Sequence, residues 1–187
     1  MKRIIFLHGV GGTGAGLRPL AEALETGLDC HFPDGPLRFD GDRSGIARQW
    51  FSITGVTEDN RPARIAQAMP GFCAMLQDLG DPRDSLLVGF SQGAIMALHA
   101  VAQGLPVAGV VALSGRLAGP VAPRKEWPAI WLLHGQEDRV MPPDLAQRTR
   151  SWLREAGADP RLTLFADLGH AIDARSLDVL RGIIAKP

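Results

Sequence analysis

Three residues of this chain have the types and the order that acyl transfer needs: Ser91, Asp138 and His170. A serine hydroxyl is a weak nucleophile near neutral pH, so it requires a neighbouring base, and the base requires a group that orients it. Ser91 stands in Gly89-Phe90-Ser91-Gln92-Gly93, which reads G-x-S-x-G. That pattern marks a sharp strand-to-helix turn with an exposed serine at its tip. With 22 glycines in the chain, roughly 0.1 such matches are expected by chance, so the flanks decide. Ser85-Leu86-Leu87-Val88 reads as a buried strand, and Ala94 to Ala102 as a helix. The competing reading is an ordinary turn whose serine caps a helix.

A base and an acid should follow the serine, each in a loop after a strand. Ala129-Ile130-Trp131-Leu132-Leu133 leads to Asp138, and Arg161-Leu162-Thr163-Leu164-Phe165 leads to His170. The other four histidines fit the base less well. His8 precedes the serine and reads as part of a structural turn. His31 lies in a short strand, His99 falls two helical turns past Ser91, and His134 comes before the acid. Glu137 and Asp167 compete with Asp138, and spacing alone does not separate Asp138 from Glu137. A developing oxyanion needs two backbone N–H donors. The candidates are Gln92, after the serine, and Val10, in the loop after the first strand.

That loop supports a rival reading. Gly9-Val10-Gly11-Gly12-Thr13-Gly14 matches G-x-G-x-x-G, and Asp34 lies 20 residues past Gly14, where an acid would hold a ribose. A dinucleotide-dependent oxidoreductase is therefore an alternative. A phosphate-binding Walker loop is not, because no Lys-Ser or Lys-Thr follows Gly14.

The elements that must position these residues alternate along the chain. Strands are predicted over Ile4–Leu7, Cys30–Phe32, Leu86–Phe90, Val107–Leu113, Ala129–Leu133 and Arg161–Phe165. Helices are predicted over Leu17–Leu28, Ala63–Leu79 with a kink at Pro70, Gln92–Gln103, Asp144–Ala156 and Ala171–Ile184. This alternation predicts an α/β fold, with a mostly parallel central sheet and helices on both faces. Asp34–Asn60 and Arg116–Pro128 break the pattern, and loops of that length are usually functional. A length of 187 residues predicts one domain over 1-187. The formal net charge of zero gives no basis for nucleic-acid binding. Cys30 and Cys73 form no C-x-x-C pair and read as free thiols, with no metal site. The apolar run Ile4–Leu7 is too short for a secretory signal, and no segment is long enough to span a membrane, so a cytoplasmic location is expected.

With these residues assembled, the chain resembles the phospholipase/carboxylesterase family of α/β-hydrolases, which includes acyl-protein thioesterases. Phe6-Leu7-His8-Gly9-Val10-Gly11-Gly12-Thr13-Gly14 is similar to the family's F-L-H-G-L-G-D-T-G. Phe32-Pro33-Asp34-Gly35-Pro36 is similar to F-P-x-A-P, and Trp50-Phe51-Ser52-Ile53 to W-F-D-I. Gly89 to Gly93 matches G-F-S-Q-G, Leu113 to Leu117 matches L-S-G-x-L, and His134 to Val140 matches H-G-x-x-D-x-V. Gly169-His170 completes the order.

The resemblance implies a compact α/β-hydrolase fold with little or no lid. It selects Asp138 as the acid beside Ser91 and His170, pairs Val10 with Gln92 as the oxyanion hole, and makes Ser114 a structural strand-end serine. It implies cleavage of small-molecule carboxylic esters or thioesters through an acyl-enzyme, with no metal and no cofactor. Small acyl or aryl esters are the expected substrates, with acyl-protein thioesterase or lysophospholipase activity as the alternative. Trp50, Phe51, Leu117 and Met141 are expected to line an apolar acyl pocket, with plain core an equal reading for Trp50 and Phe51. No integral membrane association is expected, and a homodimer is compatible with the sequence. A non-catalytic binding module of this fold is a further alternative, disfavoured because such proteins usually lose one of the three residues. Val10 stands for a leucine of the family pattern, and Gly12 and Ser52 each stand for an aspartate.

Overall fold

Short apolar runs bounded by Gly and Pro become strands, and longer stretches with helical spacing become helices, in a computed structural model that describes residues 1–185. In chain order the elements are β1 (Arg3–Leu7), α1 (Arg18–Leu24), β2 (Asp29–His31), β3 (Leu37–Arg38), β4 (Arg48–Gln49), α2 (Arg61–Asp78) and β5 (Ser85–Phe90). They continue with α3 (Gln92–Ala102), β6 (Gly109–Leu113), β7 (Ala129–Gly135), α4 (Pro143–Glu155), β8 (Arg161–Phe165) and α5 (Ala174–Ile184). Six strands form one parallel sheet in the order β2-β1-β5-β6-β7-β8. Strands β3 and β4 pair antiparallel in a separate hairpin.

The strand order places the site. The chain adds β2 on one side of β1, then crosses over to add β5 on the other. Loops leaving the carboxyl ends of β1 and β5 therefore part in opposite directions and open a crevice between them. Val10 follows β1 and Ser91 follows β5, so both stand at this crevice.

Alternation along the buried strands feeds two apolar layers. Ile5, Leu7, Leu87, Val110, Ala112, Ile130 and Leu132 face one layer with α2, α3 and α4. Ile4, Phe6, Leu86, Val88, Val111, Leu113 and Leu133 face the other, closed by Leu24 of α1 and by Leu180 and Ile183 of α5. Helix α3 is sunk deepest, with nine of its eleven residues buried, which fixes the serine at its start.

Several boundaries differ from the sequence expectation. Helix α1 stops at Leu24 rather than Leu28, because Glu25 and Gly27 turn left-handed at φ 49° and 63°. Helix α5 starts at Ala174 rather than Ala171, because Asp173 caps it by accepting the Ser176 N–H at 2.9 Å. Helix α2 runs unbroken through Pro70. Pro70 and Ala66 lie on its exposed side, so the carbonyl that the proline leaves unpaired faces water. The hairpin β3–β4 falls inside Asp34–Asn60 and was not anticipated, since two-residue strands carry no readable period. Among the described residues, no helix is long and apolar enough to cross a membrane.

Candidate active site

Ser91 ends β5 and begins α3 in a backbone conformation that few L-residues adopt, with φ 52° and ψ −114°. The turn is tight enough to demand glycine two residues away on each side. A Cβ at Gly93 would stand 2.2 Å from the Leu7 carbonyl oxygen, and one at Gly89 would stand 2.5 Å from Ala94 N. The Ser91 N–H donates to Leu113 O at 2.9 Å, so the elbow is also tied to β6.

His170 and Asp138 reach Ser91 from the loops after β8 and β7. Those loops are laced together, with Gln136 N donating to Phe165 O and Glu137 N to Leu168 O, both at 2.9 Å. His170 Nδ1 lies 2.7 Å from Asp138 Oδ2, and His170 Nε2 lies 3.0 Å from Ser91 Oγ. A carboxylate only accepts, so Nδ1 carries the proton and Nε2 offers its lone pair to the serine hydroxyl. The Asp138 side chain is fully buried. Its other oxygen accepts the N–H groups of Val140 and Met141 at 3.0 and 2.8 Å. Both rivals for the acid, Glu137 and Asp167, are exposed. The Phe90 ring packs against the His170 ring at 5.0 Å between centroids, backing its orientation. This row of side chains can move the serine proton onto His170 and hold the resulting cation against Asp138.

Backbone N–H groups near Ser91 are available as donors. Ser91 and Gln92 begin α3, whose first N–H groups have no partner within the helix. Among the described residues, neither Gln92 N nor Val10 N finds an acceptor within the chain. Gly9 brings the Val10 peptide close to the serine, since a Cβ at Gly9 would lie 3.2 Å from Ser91 Cβ.

The loop that imitates a dinucleotide fingerprint is closed on itself. Asp34 Oδ1 accepts the Gly14 N–H at 2.6 Å, so the acid assigned to a ribose braces the loop instead. Gly11 N donates to Arg48 O, and Arg48 N to Gly12 O, each at 2.9 Å, pinning the loop to β4.

Four residues expected at an acyl pocket are all buried: Trp50, Phe51, Leu117 and Met141. Trp50 and Phe51 also form part of the wall of a cleft of about 640 Å³, which Pro36, Leu37, Ser52 and Arg64 help to line. Leu117 and Met141 are not among its lining residues. Met141 instead serves Asp138 through its backbone N–H, and the Leu117 N–H donates to Thr149 Oγ1 at 2.9 Å. Ser114 is buried at the end of β6, its N–H donating to Leu133 O at 2.9 Å.

Two roles were not read from the sequence. The Gln92 side chain holds the Trp50–Phe51 backbone, and His134 lies directly beside the acid. His134 Nε2 donates to Met141 O at 2.7 Å and stands 3.4 Å from Asp138 Oδ2. Burial pushes its pKa down, against the opposing pull of the Met141 bond and the Asp138 charge. The only sequence signal for His134 was its position at the strand end ahead of the acid.

The parallel sheet, the strained serine elbow and the loops gathered at the switch point define an α/β-hydrolase. The comparisons narrow the class. A family model described as Phospholipase/Carboxylesterase matches residues 1–186, so the chain belongs to the phospholipase/carboxylesterase family, whose members are ester-cleaving hydrolases. It is 41% identical over 149 residues to esterase YpfH of Escherichia coli (strain K12), a match that covers 74% of this chain and 64% of YpfH. It is 28% identical to acyl-protein thioesterase 1 of Neurospora crassa, covering 98% of this chain and 85% of that protein. The crystal structure of esterase PE8 superposes with a TM-score of 0.87 at 28% identity, over 98% of this chain and 91% of the other.

Proposed function

We propose that this chain is a serine esterase in which Ser91, His170 and Asp138 form a catalytic triad and the N–H groups of Val10 and Gln92 form the oxyanion hole. The observation that carries this reading is the continuous hydrogen-bonded row, 3.0 Å from Ser91 Oγ to His170 Nε2 and 2.7 Å from His170 Nδ1 to Asp138. His170 takes the Ser91 proton as Oγ attacks the ester carbonyl, and the two N–H groups hold the oxyanion. His170 then protonates the leaving alcohol, and water, activated by the same imidazole, releases the acid from Ser91. The chain itself supplies nucleophile, base and donors, so the reaction needs no metal or cofactor. We assign it to one domain over 1-187 acting in the cytoplasm.

Small acyl or aryl esters are the proposed substrates. The cleft beside Trp50 and Phe51 is lined by polar Ser52, Arg64 and Gln67 as well as apolar residues, and this mixed lining supports small substrates over a long alkyl chain if the cleft receives the acyl group. Cleavage of acyl-protein thioesters is the second reading, favoured by the end-to-end likeness to the Neurospora enzyme. Incubation with a fluorophosphonate followed by peptide mapping tests the chemistry, with the adduct expected on Ser91 and lost in Ser91→Ala. Folded protein that takes no label at Ser91 refutes the assignment. Turnover of p-nitrophenyl esters of rising chain length, set against a palmitoyl thioester, separates the two substrate readings.

A further inference from the structure

His8 is buried, with 1% of its surface exposed, and it belongs to neither the proposed triad nor the oxyanion pair. Its ring nevertheless contacts the peptide that matters most. His8 Nδ1 lies 2.7 Å from the carbonyl oxygen of Gly9. That carbonyl shares a peptide group with the Val10 N–H. In a planar trans peptide the C=O and N–H point in opposite directions. A donor that grips the Gly9 oxygen therefore fixes the direction of the Val10 N–H on the opposite side of the same peptide, next to the glycine that approaches Ser91.

The proton must sit on Nδ1. The other ring nitrogen, Nε2, accepts the Gly35 N–H at 2.8 Å, and a backbone N–H can only donate. The imidazole is thus fixed as its neutral Nδ1–H tautomer. Burial lowers its affinity for a second proton, which would set two N–H groups against each other, while the Gly9 bond and the Asp34 charge oppose that effect. The ring is also held in place, with Trp50 tilted by 30° against it. Trp50 packs on it at 5.2 Å between centroids, and the Trp50 indole N–H donates to the His8 carbonyl at 2.8 Å. Gly12 N gives the Gly9 oxygen a second donor at 3.1 Å.

We propose that His8 is a positioning residue for ester cleavage, acting through the Gly9–Val10 peptide to aim and polarise the Val10 N–H at the oxyanion. The inference rests on Val10 being an oxyanion donor of the proposed esterase. A bond donated into one end of a peptide strengthens the donor at its other end. The effect is felt when the oxyanion forms, so it belongs to kcat and not to ground-state binding.

Two amide substitutions separate positioning from mere stability. In His8→Asn the side-chain amide reaches the place of Nδ1 and keeps the bond to Gly9, but abandons Gly35. In His8→Gln the amide oxygen reaches the place of Nε2 and keeps Gly35, but leaves the Gly9 carbonyl without its side-chain donor. Losing one oxyanion donor outright costs about 10²–10³-fold in kcat, so losing its alignment in His8→Gln should cost roughly 10–100-fold with KM little changed. His8→Asn should retain kcat within about fivefold while melting at a lower temperature than His8→Gln. Equal kcat in His8→Gln and wild type overturns the proposal, as does a fall confined to KM.

A measurement on the unaltered protein guards against variants that fail to fold. Imidazole ¹⁵N spectra should show His8 protonated at Nδ1 and bare at Nε2, and the opposite tautomer overturns the proposal. Fluorophosphonate labelling of wild-type Ser91 is run in parallel. Without that labelling the esterase reading itself fails, whereas labelling with unaltered His8→Gln turnover rejects His8 alone.

Discussion

The Gln92 side chain clamps a segment 42 residues away: its Oε1 accepts the Trp50 N–H at 2.8 Å. Its Nε2 donates to the next carbonyl, Phe51 O, also at 2.8 Å, so one amide satisfies two consecutive buried backbone groups as a strand would. One residue thus sets two features of the site. Its backbone N–H stands beside Ser91, and its side chain fixes the wall of the neighbouring cleft. Replacing it by leucine leaves the backbone N–H in place but strands both partners without water. Each unsatisfied buried group costs about 1–3 kcal/mol. Gln92→Leu should therefore melt roughly 5–15 °C below wild type for a chain of this size. Differential scanning calorimetry checks this, and a melting point within a degree of wild type would refute the clamp.

Ser91 is strained because it sits at the sharp turn where β5 passes into α3. A residue held at φ 52° costs about 1–3 kcal/mol unless it is glycine. Ser91→Gly should relieve that strain, less the entropy that glycine loses on folding, whereas Ser91→Ala keeps the strain and loses the hydroxyl. The glycine variant is expected to melt roughly 2–4 °C above the alanine variant. Both should lose at least about 10³-fold in kcat towards p-nitrophenyl esters. An alanine variant at least as stable as the glycine variant would mean that the elbow stores no strain.

Much of this site was legible because its parts announce themselves locally. The elbow demands glycines at 89 and 93, where a Cβ would meet backbone at 2.5 and 2.2 Å, and the strand-then-loop pattern pointed to His170 and to the Glu137-Asp138 pair, from which the family resemblance selected Asp138. What stayed hidden depends on approach across the chain. His8 read as a turn residue because nothing near it in sequence reveals that Gly35 will meet its Nε2. Asp34 read as a ribose-binding acid because the G-x-G-x-x-G spacing is the same whether the loop cradles phosphate or closes on its own carboxylate. The two long stretches outside the alternation turn out to be joined, since Glu58 of the first accepts both Nη atoms of Arg116 of the second at 2.6 and 2.7 Å. Opposite charges 58 residues apart carry no pairing signal in one sequence.

Three histidines, His8 and His134 buried and His99 half-buried, should make the fold sensitive to mild acid. His99 Nε2 accepts the Ala118 N–H at 3.0 Å, and burial, followed by the nearby Arg116 charge, lowers its pKa to about 4. His8 and His134 are also lowered, each chiefly by burial. A histidine with a lowered folded pKa binds its proton in the unfolded chain first. Its contribution is complete above the unfolded value of 6.5 and is lost as pH falls towards the folded value. For His99 the full loss is about 3 kcal/mol, approached near pH 4. The carboxylates held down to about 2, Asp42, Glu58 and Asp173, act in the same direction but mainly below about pH 4.5. Thermal melts from pH 7 to pH 4.5 should therefore decline along a histidine slope. His99→Gln keeps an acceptor for Ala118 but cannot titrate, so its decline should be shallower by up to about 1.4 kcal/mol per pH unit. Parallel declines in the two proteins would exclude His99 as a contributor.

Asp138→Asn separates orientation of the base from mere integrity of the fold. Asp138 accepts from two backbone N–H groups through Oδ1 and from His170 through Oδ2. An asparagine keeps its carbonyl oxygen towards Val140 and Met141, because those partners can only donate. Its NH₂ group then faces His170 Nδ1, where the carboxylate oxygen stood. The imidazole must present a lone pair there and move its proton to Nε2, towards Ser91 Oγ. In that tautomer it cannot accept the serine proton, although every heavy atom stays in place. The expected loss is about 10⁴-fold in kcat with KM nearly unchanged, by analogy with the same exchange in other serine hydrolases. The melting temperature should change little, since the two backbone bonds and the packing survive. Raising the pH should not restore the rate, because the fault lies in which nitrogen holds the proton. Steady-state kinetics from pH 6 to pH 9 test this, and a variant within tenfold of wild type at any pH would remove Asp138 from the triad.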